Sequence, residues 1–180
     1  MAYDRADWSK HYDDGKGFRP LRDAERDLFA RHAPAPEGGR ALEVGCGTGE
    51  LAARLAGLGY DVDALDFAEA AVARARKEHE SVDGVRWLCL DIEHDDPADL
   101  HDEGYDLITM RLVYAFVGDR SRVVRSLADR LRPGGRSTTS KVLGNARRTR
   151  GSSLTLRAVA EPSPVHIHTA SPSHENHRGT

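Results

Sequence analysis

One stretch, residues 41–50, constrains the fold of this chain more than any other part of it. It reads Ala-Leu-Glu-Val-Gly-Cys-Gly-Thr-Gly-Glu, so an apolar strand runs into a turn with glycine at Gly45, Gly47 and Gly49. Glycine accepts positive φ and lets a ligand approach the backbone closely. Open α/β folds bind nucleotides with a strand, a tight turn and a helix N-terminus in series. We therefore expect a nucleotide-type ligand at the carboxyl edge of a parallel sheet.

Two carboxylates beside this turn indicate which nucleotide it binds. A dinucleotide fingerprint needs Gly or Ala at position 50, where this chain has Glu50. Glu43 and Glu50 would repel a pyrophosphate and favour a ligand that carries positive charge beside an adenosine. Residues 43–49 resemble the E-x-G-x-G-x-G motif of class I S-adenosylmethionine-dependent methyltransferases. The resemblance implies S-adenosylmethionine as cofactor, with contacts from Glu43, Gly45, Cys46, Gly47 and Gly49.

Strand and helix patterns alternate along the rest of the chain, which predicts a parallel sheet with right-handed crossovers. We expect an α/β fold, a Rossmann-like three-layer α/β/α sandwich with a mostly parallel sheet. Leu131-Arg132-Pro133-Gly134-Gly135 resembles the helix-to-strand turn of the family before its fifth strand. The predicted helices are residues 21–32, 51–58, 69–80 and 119–131, and the predicted strands are 41–44, 60–66, 85–91, 105–110 and, more weakly, 137–143.

The last part of the chain differs in composition. No aromatic residue follows Phe116, and Ser, Thr, Arg, Pro and His dominate after Val142. Segments this poor in apolar residues cannot offset the entropy of ordering. We expect residues 1–143 to form the methyltransferase-like domain and residues 144–180 a disordered tail. The C-terminal strands of the family are then missing or disordered, and the histidines of the tail are solvated rather than metal ligands.

Acidic residues at the ends of two further strands complete the predicted cofactor site. Asp66 ends the second strand, and in the family the matching acid accepts both ribose hydroxyls; Asp63 is the alternative. Phe67 follows, either covering the adenine or packing in the core. Asp91 ends the third strand, where the family places an acid that accepts the adenine amino group, with Ile92 beside the ring. Asp91 has the alternative role of capping the loop that follows.

The acceptor side is less clear in the sequence. Arg111, Tyr114 and Phe116 follow the fourth strand and are expected near the transferred methyl group. Arg111 binds either an acidic acceptor group or the methionine carboxylate, or lies free in solvent. Tyr12 is expected at the methionine end, within an N-terminal segment that covers the cofactor in many relatives and also contains His11 and Arg19. Asp106 is expected to be structural, and no catalytic residue is assigned.

Composition and charge limit the classes of partner that we expect this protein to bind. The net charge of −3, with no extended basic face, argues against nucleic acid, and no apolar run approaches the roughly 20 residues that cross a membrane. Two cysteines and no secretory signal predict a cytoplasmic protein. We expect an enzyme that methylates a small molecule. The alternatives are a degenerate module that binds cofactor or a partner without turnover, and, less favoured, a nicotinamide-dependent oxidoreductase.

Overall fold

The computed structural model describes residues 4–140 and 166–169. In these residues, short runs that are buried on both faces at the centre, such as residues 41–44 and 62–66, build a single sheet of six strands. The strands are β1 (Arg40–Val44), β2 (Asp61–Asp66), β3 (Val85–Cys89), β4 (Tyr105–Arg111), β5 (Leu131–Ser140) and β6 (His166–Thr169). Their order in the sheet is β3-β2-β1-β4-β5-β6. Strands β1 to β5 are parallel, and β6 is antiparallel to β5.

Helices cover both faces of this sheet, which confirms the predicted three-layer architecture. Neighbouring residues of β1 point to opposite faces, since Ala41 packs with Phe29 and Leu55, whereas Leu42 packs with Val123. The helices are α1 (Arg5–Asp13), α2 (Asp23–His32), α3 (Glu50–Ala56), α4 (Glu69–Glu78) and α5 (Arg120–Ala128), with 3₁₀ turns at Pro97–Asp99 and Tyr114–Phe116. None of the helices among the described residues is long and apolar enough to cross a membrane.

The connection from α5 to β5 differs from the predicted one. The helix ends at Ala128, and β5 already begins at Leu131. Tyr105 pairs with Leu131 but Leu107 pairs with Arg136, so between these pairs one residue of β4 lies opposite four residues of β5. The Pro-Gly-Gly sequence therefore forms an irregularity inside the strand, where the extra residues loop out of the ladder.

Two elements were not among the predicted ones. Helix α1 precedes every predicted element and begins at a capping box, in which Asp4 and Asp7 each accept the backbone N–H of the other. Strand β6 lies within the segment predicted as a disordered tail, where Arg136 to Thr139 of β5 pair with Thr169 to His166. The remaining residues of that tail, and residues 141–143 of the predicted fifth strand, lie outside the described residues.

The strand ends that matter for binding lie together. Because β1, β2, β3 and β4 are parallel and adjacent, their carboxyl ends meet at one edge of the sheet. The chain passes from one side of β1 to the other between β3 and β4, which makes the β1–β4 boundary a topological switch point. Ligands of open α/β sheets bind in the crevice that forms there.

Candidate functional site

The glycine turn after β1 is held in place by its own backbone and by close neighbours. The N–H groups of Gly45 and Cys46 donate to the Leu65 carbonyl at 2.8 and 2.9 Å. Gly45 has φ 73°, and a Cβ there would lie 2.7 Å from the Val113 side chain. The turn therefore packs directly against the segment that follows β4, and only glycine fits at this position.

Glu43 is a buried carboxylate with an unused acceptor. Its exposure is 2%, and its Oε2 atom has no hydrogen-bond partner. Burial raises the pKa of Glu43 to about 8, against the opposing effects of the Arg111 guanidinium and a hydrogen bond from the Ala52 backbone. Glu43 lines a small polar cavity of about 50 Å³ beside the glycine turn. A buried acceptor without a partner is costly, and a donor such as an ammonium group in this cavity would satisfy it.

Asp66 connects two turns at the carboxyl edge. Its Oδ2 accepts the Gly47 N–H and its Oδ1 accepts the Ala68 N–H, both at 2.9 Å. Burial raises the pKa of Asp66 despite these bonds. A carboxylate has about four lone-pair positions, so each oxygen keeps one for a ligand hydroxyl. Asp66 lines the large cleft described below.

Asp63, the alternative to Asp66, has a different role. Its carboxylate is 1% exposed and is bound by Arg86 at 2.6 and 2.7 Å and by the Tyr105 hydroxyl at 2.5 Å. Asp63 does not line either cavity at the carboxyl edge. The geometry therefore favours Asp66 over Asp63 as the ribose acid.

Asp91 both lines the cleft and caps the loop after β3. Its Oδ1 accepts the Glu93 N–H at 2.9 Å, and its Oδ2 lies 3.0 Å from His94 Nδ1. The sequence left capping and adenine binding as alternatives, and in this arrangement the two roles are compatible. Ile92 and Phe67 line the same cleft and are also partly buried against core residues.

Arg111 has partners that the sequence did not reveal. Its Nε and one terminal nitrogen bind the Glu25 carboxylate at 3.0 and 3.1 Å. The guanidinium also donates to the carbonyls of Arg19 and Pro20 at 3.1 and 3.0 Å. Arg111 thus holds the segment before α2 against the end of β4, and these bonds leave one of its five N–H donors for a ligand.

Tyr12 lies over the glycine turn. It is 5% exposed, and a Cβ at Gly47 would be 3.0 Å from its hydroxyl oxygen. Burial raises its pKa, and the nearby Asp66 carboxylate adds to this effect. Cys46 is buried in the same place, and burial raises the pKa of its thiol, which argues against a nucleophilic role. Asp106, by contrast, accepts from the Arg40 backbone and from Arg132 at 2.9 and 2.8 Å, as expected of a structural residue.

A cleft of about 320 Å³ joins these groups. The small polar cavity adjoins it, because both are lined by Tyr12, Gly45 and Arg111. Gly49 lines neither: a Cβ there would lie 2.5 Å from Trp87, so its glycine serves packing between α3 and β3. The structure brings to one or other of these cavities the other ten predicted residues, Tyr12, Glu43, Gly45, Cys46, Gly47, Asp66, Phe67, Asp91, Ile92 and Arg111.

Sequence reasoning missed several cleft residues. Trp8 and Arg5 reach the cleft from α1, and Phe18 reaches it from the linker that follows. Glu93 also lines it and accepts the N–H groups of Gly118 and Asp119 before α5, both at 2.9 Å. The capping box of α1 has Asp7 where the usual sequence signature has Glu or Gln, so the local signal for this helix is weak.

The acceptor-side expectations are met in part. Phe116 lines the cleft as expected. Tyr114 does not; it packs against the core, with the Arg120 guanidinium 5.6 Å from its ring centre. His11 lines neither cavity, whereas Arg19 lines the small polar one.

Comparison with known proteins agrees with this geometry. Residues 42–137 match the family described as "Methyltransferase domain", which covers the glycine turn, β2 to β4 and most of the cleft. The chain belongs to this methyltransferase family. The match confirms the resemblance drawn from the glycine motif and the strand ends.

Individual relatives support the assignment. The chain is 30% identical over 132 residues to the ubiquinone biosynthesis O-methyltransferase of Acinetobacter baylyi, which covers 71% of this chain and 55% of that protein. It is 32% identical over 143 residues to the enzyme of that name from Marinobacter nauticus, covering 76% of this chain and 59% of that one. A crystal structure of an S-adenosylmethionine-dependent methyltransferase from Mesorhizobium loti aligns with TM-score 0.55 and 29% identity, over 66% of this chain and 55% of that one.

These relatives show which cofactor the family uses and how much of their length this chain spans. S-adenosylmethionine is the cofactor of this family, as predicted. The chain spans about half the length of the relatives it matches.

Proposed function

We propose that this chain binds S-adenosylmethionine in the cleft at the carboxyl edge of the sheet and transfers its methyl group to a small-molecule acceptor. The observation that carries this proposal is that Glu43 lines a polar cavity beside the glycine turn while its buried Oε2 has no partner. The ammonium group of the cofactor's methionine portion is a donor that would complete it. The O-methyltransferase names of the relatives support an acceptor of small size.

The residues present fit the rest of the cofactor. Asp66 would accept the ribose hydroxyls through the lone pairs that its two backbone bonds leave free. Asp91, Ile92 and Phe67 would surround the adenine. Tyr12, above Gly47, would close the cleft over the methionine portion.

The chemistry requires alignment more than acid–base assistance. When bound, the cofactor supplies a methyl group on a positively charged sulfur, which an acceptor lone pair attacks in line as the carbon–sulfur bond breaks. Holding the reacting atoms in line accounts for much of the rate enhancement in such reactions. The rigid elements for this are the glycine turn and Val113, which are in contact across Gly45.

The test is a calorimetric titration with S-adenosylmethionine and with S-adenosylhomocysteine. We expect micromolar binding that Asp66→Ala weakens at least tenfold, since two charged hydrogen bonds are lost. The matched control is Asp106→Ala, which also removes a carboxylate that accepts a backbone N–H but lies at the opposite end of the sheet. Equal losses in the two variants, or no binding by a folded protein, would contradict the proposal. Binding without methyl transfer to any acceptor would instead favour the non-catalytic module.

A further inference from the structure

We propose that the acceptor is an uncharged aromatic molecule whose ring packs against Trp8, Phe18 and Phe116 at the opening of the cleft. This inference rests on the proposed function, because it assigns the acceptor class of the same site. It is carried by the arrangement and exposure of three aromatic rings and by the pairing of the charges around them.

The three rings come from three separate segments and meet on one side of the cleft. Trp8 lies on α1, Phe18 on the linker before α2, and Phe116 on the 3₁₀ turn after β4. The ring centres are 5.3 Å apart for Trp8 and Phe116, 5.7 Å for Trp8 and Phe18, and 6.1 Å for Phe18 and Phe116. Each pair is edge-to-face, the arrangement that aromatic rings prefer. A fourth ring can extend this set with the same geometry.

Two of these rings remain open to solvent. Phe18 is 36% exposed and Phe116 is 45% exposed, although both line the cleft. The third exposed large apolar side chain of the described residues is Val124, which lies on α5 and does not line the cleft. Adjacent exposed aromatic rings beside a cavity are the kind of apolar patch that marks a binding surface.

One of the rings lies on the segment that contacts the glycine turn. The segment after β4 carries both Val113 and Phe116, and Val113 contacts the glycine turn across Gly45. Leu112, at the start of this segment, has a positive φ of 63°. Backbone strain of this kind persists only where the surroundings impose it, and it clusters at binding sites. The segment is thus held where its aromatic ring faces the cleft.

Both guanidinium groups that line the large cleft already have a carboxylate partner. Arg5 binds Asp95 at 3.1 Å, and Arg111 binds Glu25. Arg19 lines only the small polar cavity. An anionic acceptor would therefore have to share a guanidinium with the carboxylate that it already binds.

The carboxylates at this opening are engaged as well. Asp4 accepts the Asp7 N–H at 2.8 Å, and Glu93 accepts the two N–H groups before α5. A cationic acceptor that drew either carboxylate toward itself would weaken these bonds at the starts of α1 and α5. An uncharged ring draws on none of these charged groups, so it is the occupant that this opening fits.

The experiment uses the fluorescence of Trp8. The chain has two tryptophans, and Trp87 lies outside the cleft, stacked on His79 at 5.8 Å. A Trp87→Phe background therefore leaves Trp8 as the reporter. S-adenosylhomocysteine is added to saturation first, so that a failure to bind cofactor is seen separately from a failure to bind the acceptor probe. Four probes are then titrated: 2-methoxyphenol, benzoate, phenyltrimethylammonium and cyclohexanol.

We expect saturable quenching by 2-methoxyphenol, with an affinity at least tenfold higher than that of each of the other three probes. Phe116→Leu should weaken the binding of 2-methoxyphenol at least fivefold more than it weakens the binding of S-adenosylhomocysteine. Val124→Ala removes an exposed apolar side chain away from the cleft and should change neither. Thermal unfolding of each variant verifies the fold.

Three outcomes would overturn the proposal while leaving cofactor binding intact. The first is tighter or equal binding of benzoate, which would indicate an anionic acceptor. The second is tighter or equal binding of phenyltrimethylammonium, which would indicate a cation held by the rings. The third is the absence of saturable binding by 2-methoxyphenol, or an affinity for it that Phe116→Leu leaves unchanged.

Discussion

Replacing Glu43 with glutamine should remove a large pH dependence of stability. Burial raises the pKa of Glu43 from 4.5 to about 8 in the folded protein. Between these two values the unfolded chain has lost the proton and the folded protein retains it. The free energy of unfolding therefore falls as the pH rises, by about 1.4 kcal/mol for each pH unit in this window. The whole window amounts to roughly 5 kcal/mol.

The charged groups around Glu43 determine this value. Arg111, at the end of β4, lowers the pKa, and Asp66, at the end of β2, raises it. The Cys46 thiol also faces Glu43 from the turn. Because Glu43→Gln leaves all three in place, the difference between wild type and variant isolates the titration of Glu43.

Urea unfolding at several pH values from 5 to 9 measures the effect. We expect Glu43→Gln to gain stability relative to wild type by about 4 kcal/mol between pH 5 and pH 8, since the buried amide does not ionise. The control is Glu103→Gln, which changes an exposed glutamate whose pKa is lowered by Arg40 and which should show no such trend. If wild type and Glu43→Gln keep a constant difference across this range, Glu43 is not held protonated and the reasoning is refuted.

Three further substitutions follow from the packing. Gly49→Ala places a Cβ 2.5 Å from the Trp87 side chain at a φ of 86° and should lower the free energy of unfolding in urea by about 2–4 kcal/mol. Gly134 has a similar φ but open space around it, so the control Gly134→Ala should lower it by only about 1 kcal/mol. Arg111→Ala leaves the largely buried Glu25 carboxylate with Arg22 as its remaining partner and should cost about 1–2 kcal/mol. A double variant with Glu25→Ala should lose less than the sum of the single losses, and additivity would argue against the pair. Tyr105→Phe removes a hydroxyl that donates to a buried carboxylate at 2.5 Å and should lower the free energy of unfolding by about 2 kcal/mol, with an unchanged midpoint counting against this network.

Strands and helices with strong local sequence signals were predicted closely. The predicted strand at residues 105–110 is observed as Tyr105–Arg111, and the predicted helix at 69–80 as Glu69–Glu78. In both cases the spacing of the apolar residues matches the period of the observed element, and the sequence marks where that element begins and ends. The class of fold follows from elements of this kind, and so does the edge of the sheet at which the candidate site lies.

Elements whose position depends on distant partners were not predicted. Helix α1 is polar and buries only Tyr12, so its apolar periodicity is weak. Strand β6 has four residues, and its place is set by pairing with β5 rather than by its own composition. The Pro-Gly-Gly sequence indicated a turn, but its place inside β5 depends on the register with β4.

The residues of the candidate site divide in the same way, into those that local sequence predicts and those that it does not. The acids at the ends of β2 and β3 could be predicted because the sequence shows where these strands end. The pairing of Arg111 with Glu25 could not, because the two residues are 86 positions apart and nothing local links them. The aromatic set was missed for the same reason, since Trp8, Phe18 and Phe116 become neighbours only in the folded chain.

The connectivity of the cleft also bears on how it forms during synthesis. The bond from Gly47 to Asp66 spans 19 residues, whereas the bond from Arg111 to Glu25 spans 86. Closing the longer loop costs about 1.3 kcal/mol more in chain entropy. The bonds that join the glycine turn to the end of β2 can therefore form before β4 is synthesised, while the part of the cleft that Arg111 holds must wait for β4. A nascent chain can thus assemble the part of its cleft around β1 and β2 before the part around β4 exists.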